Sequence, residues 1–181
     1  PAERGRIVAA LAAEIRSNRD RLARLETADT GKPLGQAAAD VEWCARAFEY
    51  YAGAADKIHG ESIPLSEEYV DYTIREPLGV TAQILPWNYP IGMLGRSVAP
   101  ALAAGNAAIV KPGDQTPRSA LAVGHLAIDA GVPPGVLNVV PGRGAEAGAT
   151  LAGHPALGGV SFTGSVPTGR EVGKAAIENI T

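Results

Sequence analysis

The sequence holds one cysteine, Cys44, one methionine and three histidines in 181 residues. A lone cysteine excludes an internal disulfide framework and fits a reducing compartment. His59, His125 and His154 share no metal-ligand spacing with one another or with Cys44, so each reads as structural or solvated and no metal site is expected. Nowhere do apolar residues run for the roughly 20 positions of a membrane-spanning helix. The start, Pro1 to Arg6, lacks the charged-then-apolar layout of a secretion signal. Together these readings predict a cytoplasmic protein with no membrane partner. Neither sign of charge dominates: 16 basic against 19 acidic side chains leave −3, which excludes the footprint of a nucleic-acid binder. Asn179-Ile180-Thr181 spells a glycosylation acceptor, but without a secretion signal it reads as coincidence.

Apolar residues make up 46% of the chain, enough for one sizeable core. The 22 glycines and 14 prolines form no low-complexity tract; they punctuate short apolar segments, as in an α/β fold. Residues 3–29 read as one amphipathic helix through Ile7, Leu11, Ile15, Leu22 and Leu25. Gly31 and Pro33 stop it, because glycine takes a left-handed cap and proline cannot continue. A second helix is expected over 36–55, with Val41, Cys44, Phe48 and Tyr51 facing a core. Residues 69–76 then alternate in the period-two pattern of a half-exposed strand.

From Gly79 four β–α units follow: strands near 79–85, 106–110, 135–140 and 158–162, each leading into a helix. The fold class is therefore α/β, a Rossmann-like parallel sheet with flanking helices, preceded by two helices and a β-strand arm. The expected division is a helical part at 1–58, the arm at 59–77 and the Rossmann-like region at 78–181. In such sheets ligands bind at the carboxyl ends of the strands.

The first strand ends in Pro86-Trp87-Asn88-Tyr89-Pro90. Two prolines stiffen this loop, and Asn88 could donate to a developing oxyanion or simply cap the next helix. The second ends in Lys111-Pro112-Gly113-Asp114, where the lysine and carboxylate could bind ribose hydroxyls, or be a solvated lysine and an N-cap. The third runs into Pro141-Gly142-Arg143-Gly144, whose glycines need no more than a tight turn to explain them. The fourth runs into Thr163-Gly164-Ser165-Val166-Pro167-Thr168-Gly169, a glycine-opened helix start suited to a pyrophosphate or to no ligand at all. A Walker loop is excluded, since Arg170 and Glu171 stand where Lys and Ser or Thr would be needed.

Eight stretches in order and register resemble the aldehyde dehydrogenase superfamily: residues 29–33, 55–64, 75–80, 86–90, 99–106, 111–117, 131–142 and 162–165. The resemblance implies that Asn88 holds the oxyanion of a thiohemiacetal. It implies NAD as cofactor, in preference to NADP, with Lys111 and Asp114 on the adenosine ribose and Pro112 and Gly113 in the same loop. Gly164, Ser165 and Val166 would border the pyrophosphate, Gly169 would keep the helix start open, and Ile84 and Trp87 would line the crevice. Residues 69–76 would belong to an assembly arm of a homo-oligomer, and Met93 and Arg96 would shape a tunnel for an aldehyde substrate. Three positions depart from the family pattern. Asp114 replaces the usual Glu and reaches less far, Arg96-Ser97 replaces a common Trp-Lys, and Arg143 replaces an aromatic. The nucleophilic Cys and basic Glu are implied to lie beyond Thr181, so this stretch alone should not turn over aldehyde. Cys44, on a core stripe, is no substitute. An acylating member of the superfamily and a non-catalytic nucleotide-binding or assembly module are the rival readings.

Overall fold

The computed structural model describes residues 1–179; Ile180 and Thr181, and with them the full glycosylation triplet, lie outside the described residues. The chain opens with three helices, α1 (Ala2–Ser17), α2 (Arg19–Thr30) and α3 (Leu34–Ala54). The expectation of one helix over 3–29, and of two helices before the arm, is thereby corrected. The break falls at Asn18, whose side-chain amide donates to the Glu14 carbonyl at 2.9 Å while its backbone leaves helical geometry at ψ 16°. An asparagine side chain that bonds its own backbone competes with helix continuation. The stop at Gly31 is as expected, with φ at +74° and its N–H on the Thr27 carbonyl.

An antiparallel ribbon follows, β1 (Ser62–Ser66) and β2 (Tyr69–Tyr72). The half-exposed strand expected over 69–76 is shorter than that, and its alternation does not translate into alternating burial. Tyr69, Val70 and Tyr72 are all exposed, with Asp71 the least so. The ribbon pairs only with itself among the described residues, so neither face has a layer to bury against.

The remaining elements are β3 (Val80–Ile84), α4 (Pro90–Ala103), β4 (Ala107–Lys111), α5 (Arg118–Asp129), β5 (Leu137–Val139), a π-helical turn at Gly144–Gly148 running into α6 (Ala149–Ala152), β6 (Gly159–Phe162) and α7 (Val166–Ile177). The four later strands form one parallel sheet in the order β5-β4-β3-β6, the expected architecture. The chain steps outward from β3 to β5, then returns to the other side of β3. That reversal creates a switch point between β3 and β6, where such sheets open a crevice.

One apolar cluster joins α1 to α5 with β4 and β5. One seam of this cluster is α3 against α4. Ile91, Leu94 and Val98 of α4 and Val41, Cys44 and Phe48 of α3 belong to it, all fully buried. A Cβ on Gly95 would come within 2.9 Å of both Cα and Sγ of Cys44, so glycine is what lets these helices close. Of α7, by contrast, only Ala176 is buried, and no residue of α6 or α7 belongs to that cluster.

Candidate functional site

Strand register sets the site. Ile84 pairs with Lys111 on one side and with Phe162 on the other, so the loops after β3, β4 and β6 leave the sheet at one level. Bonds across the sheet extend this alignment past the strand ends. Leu85 N donates to the Lys111 carbonyl at 2.9 Å and Thr163 N to the Ile84 carbonyl at 3.1 Å.

In the loop after β3, Trp87, Asn88 and Tyr89 are exposed. Asn88 does not cap α4: the cap position is Tyr89, without a side-chain bond. Ile91 N instead donates to Glu26 Oε1 at 3.4 Å, so the helix is capped by a residue 65 positions away. Glu26 is 0% exposed. Burial pushes its carboxyl up from the ordinary range, against the pull of Lys32 and the Ile91 N–H. Lys32 Nζ reaches Glu26 Oε1 at 3.3 Å and Asp40 Oδ2 at 2.6 Å, and lies 4.6 Å from the centre of the Tyr89 ring.

In the loop after β4, Lys111 is 3% exposed and its ammonium forms an ion pair with Asp114 Oδ1. Asp114 Oδ2 accepts from Gly144 N at 3.1 Å, tying this loop to the π-helical turn. Burial alone would raise the Asp114 carboxyl; the Lys111 and Gly144 donors and the lysine charge outweigh it and hold the group below the ordinary range. Asp114 does not cap α5. Asp29 does so from α2, accepting from Arg118 N at 2.9 Å. Gly113 joins the two loops: a Cβ there would stand 2.9 Å from Trp87 Cα and from Thr116 Oγ1. Pro112 is buried beside it.

After β6, Ser165 Oγ accepts from Thr168 N and lies 2.9 Å from Thr168 Oγ1, so its hydroxyl caps α7. Gly164 and Gly169 both border the Phe162 ring, which a Cβ would meet at 2.5 Å and 3.3 Å respectively. Val166 is exposed. Between the π-helical turn with α6 and the start of α7 lies a cleft of about 820 Å³. Ile84 forms part of its lining, with Ala145, Ala149, Pro167, Val172 and Ala175 among its walls. Its polar lining comes from Thr168, Arg170, Glu171 and Lys174 of α7, and among the described residues its only strand residue is Ile84, at the end of β3.

Four further side chains are placed as follows. Cys44 is buried at the α3–α4 seam, and burial, then the Glu26 charge, pushes its thiol well above the usual range; it is no nucleophile. Met93 packs against the core. Arg96 lies on a different cleft, of about 490 Å³, with Ser161 and Thr163. His154 accepts from Ala156 N at 3.2 Å, and among the described residues no three His, Cys, Asp or Glu side chains are grouped to hold a metal. Among the described residues no helix is long and apolar enough to cross a membrane.

The aldehyde dehydrogenase family model matches residues 1–181. The chain belongs to the aldehyde dehydrogenase family. It is 46% identical over 175 residues to human retinal dehydrogenase 2, covering 96% of this chain and 34% of that protein. It is 47% identical over 177 residues to hydroxyisobutyraldehyde dehydrogenase of Mycolicibacterium austroafricanum, covering 98% and 35%. An NAD+ complex of an aldehyde dehydrogenase from Bacillus cereus superposes with a TM-score of 0.97 at 43% identity, covering 99% of this chain and 37% of that one. The chain thus spans about a third of the length of these relatives.

Within this aldehyde dehydrogenase segment, sequence reasoning missed Glu26, Asp29 and Lys32 as parts of the site's support. Residues 29–33 registered as a helix stop and as one of the family-like stretches, with no role for the Asp29 or Lys32 side chain. One signal was available: two carboxylates near the C-terminal end of a helix oppose its dipole, which invites a search for a partner elsewhere.

Proposed function

We propose that this chain supplies the NAD-binding crevice and one oxyanion donor of an aldehyde dehydrogenase that oxidises an aldehyde to a carboxylic acid. The observation that carries the reading is the alignment of the Asn88 loop and the Lys111–Asp114 loop at the carboxyl end of the sheet, in contact through Gly113 and Trp87. In this reading a cysteine thiolate from outside the chain attacks the aldehyde carbon, forming a C–S bond. The Asn88 amide N–H stabilises the resulting oxyanion. Bound NAD would supply the hydride acceptor that turns the thiohemiacetal into a thioester, which water would then hydrolyse.

The residues present fit the cofactor. Lys111 and Asp114 present a donor and an acceptor to ribose hydroxyls. Pro112 and Gly113 bring that loop close, and the backbone at Gly164, Ser165 and Val166 opens α7 toward a pyrophosphate, with Gly169 in its first turns. Ile84 and the cleft beside it take the adenine side, and Trp87 the crevice mouth. Asp114, kept ionised, disfavours the 2′-phosphate of NADP by repulsion. The proposal includes the division into 1–58, 59–77 and 78–181 and a cytoplasmic setting. It also includes assembly of a homo-oligomer through the β1–β2 ribbon, whose exposed Ile63, Leu65, Val70 and Tyr72 favour burial against another subunit.

Calorimetric titration with NAD+ and NADP+ tests the cofactor role. Saturable NAD+ binding, weaker for NADP+ and roughly ten- to hundredfold weaker in Lys111→Ala, is the expected result, since a charge-assisted hydrogen bond contributes about 1.5–3 kcal/mol. Equal binding of both nucleotides, or an unaffected Lys111→Ala, would remove the ribose assignment. In the full-length enzyme Asn88→Ala should lower kcat about 10²–10³-fold, as loss of one oxyanion donor does elsewhere.

A further inference from the structure

The last turns of α2 carry Glu26 and Asp29, three residues apart, and no basic residue lies in its last turn. Carboxylates there oppose the dipole of their own helix. Both are turned instead to the positive ends of other helices. Glu26 accepts from Ile91 N, near the start of α4, and Asp29 from Arg118 N at the start of α5. Neither α4 nor α5 has a side-chain cap of its own. Those two helices follow the loops bearing Asn88 and Lys111. Their N-termini are therefore held at a separation fixed by less than one turn of α2.

Lys32 completes the arrangement. Its side chain, 9% exposed, sits between the carboxylates of Glu26 and Asp40 and against the Tyr89 ring. Three neighbours of Asn88 are consequently fixed: Trp87 by Gly113, Tyr89 by Lys32, and Ile91 by Glu26. Asn88 itself is exposed and makes no side-chain bond among the described residues. A loop immobilised on both sides of one free amide is what a preorganised donor requires, because its orientation is then set before charge develops.

We propose that Glu26, Asp29 and Lys32 form a positioning clamp that sets the two site loops relative to each other, by capping α4 and α5 from α2 and by holding Tyr89. The structural part stands alone; its catalytic consequence rests on the proposed roles of Asn88 and Lys111.

Hydrogen exchange by mass spectrometry on the 181-residue chain tests the clamp. Glu26→Ala should speed exchange at 87–93 at least tenfold, and Glu26→Gln, which keeps an acceptor for Ile91 N, should restore most of the protection. Asp29→Ala should do the same at 118–121. Arg16→Gln, which breaks a surface pair between α1 and α3, should change neither segment. Where Glu26→Ala abolishes the melting transition, Tyr89→Leu decides. It alters a half-exposed ring and should speed exchange at 87–91 about threefold with the melting temperature unchanged. Rates within twofold of the parent in these segments, or equal acceleration through α1 and α3, would overturn the clamp. In the full-length enzyme Tyr89→Leu should lower kcat five- to fiftyfold with KM for aldehyde changed less than threefold, and Asp29→Ala should raise KM for NAD+ at least fivefold. An Asn88→Ala enzyme of parental kcat would remove the oxyanion reading while leaving the exchange result to stand. Altered exchange with unaltered kinetics, in an enzyme that does need Asn88, would overturn the catalytic consequence.

Discussion

The two sides of the crevice are built differently. The loops after β3 and β4 rest on the central core and on buried charge. The turn after β6 and the helix it opens rest on little: α7 buries one side chain and its first residues are exposed. In the proposed reading, the chemistry on the anchored side belongs to side chains, Asn88, Lys111 and Asp114, whose positions must be held. On the open side the same reading assigns it to backbone N–H groups at a helix start, which the helix orients by itself. Side-chain chemistry needs tertiary support; backbone chemistry needs only secondary structure.

The largest break in this contrast is expected from the core. Phe48→Ala, at a fully buried site on α3, should destabilise the chain by about 4 kcal/mol through lost contacts and a cavity. Ile177→Ala, at 72% exposure on α7, should stay within about 0.5 kcal/mol. Equilibrium urea unfolding of both variants measures the gap. Similar losses would mean that α7 is anchored as firmly as α3.

Next comes the joint between the loops. Gly113→Ala sets a methyl 2.9 Å from Trp87 Cα, a backbone atom that cannot swing aside. A cost of about 2 kcal/mol is expected from overpacking, with NAD+ affinity falling in the same variant. Unchanged urea midpoint and affinity would show that the two loops are not mechanically joined.

The architecture of these supports explains what could be read in advance. Helices and parallel strands were readable because their periodicity is local, and Gly31 because a left-handed cap has a residue preference. Asn88, Lys111 and Asp114 stood out as unusual chemistry at strand ends. Glu26, Lys32 and Asp40 did not, because their meeting with Tyr89 and Ile91 spans separations for which no local pattern exists. On a helix wheel Glu26 is one more charge among arginines; only the arrival of α4 over it makes it a buried cap. The ribbon misled in the opposite sense. Its alternation was real, but burial depends on a layer that the strand itself does not supply.

Smaller in size, but opposite in sign at two carboxylates, is the response to pH. The Asp114 carboxyl is depressed, so the stability it contributes is present above the ordinary carboxylate range near pH 4 and is lost as pH falls through its lowered value. The Glu26 carboxyl is raised, so stability declines as pH rises from the ordinary range through its raised value. Denaturation profiles of Asp114→Asn should therefore lose part of the acid-side fall, and those of Glu26→Gln part of the decline above pH 4–5, a range set by the ordinary glutamate value of about 4.3. Matching profiles in parent and variants would mean that neither group differs between folded and unfolded chains.

The smallest effect is expected on the open side, and it separates two uses of one hydroxyl. Ser165 accepts from Thr168 N, which satisfies one of the unpaired donors at the start of α7. Ser165→Ala should cost about 1 kcal/mol of local helix stability, seen as faster exchange at 166–169, with the urea midpoint almost unmoved because α7 lies outside the core cluster. Replacement by Asp restores the acceptor and should recover the exchange protection. The same replacement sets a negative charge where the pyrophosphate is proposed to sit, and should weaken NAD+ at least tenfold. A Ser165→Asp chain that regains protection and still binds NAD+ as the parent does would move the phosphates away from this turn. The open side would then serve only to close the sheet.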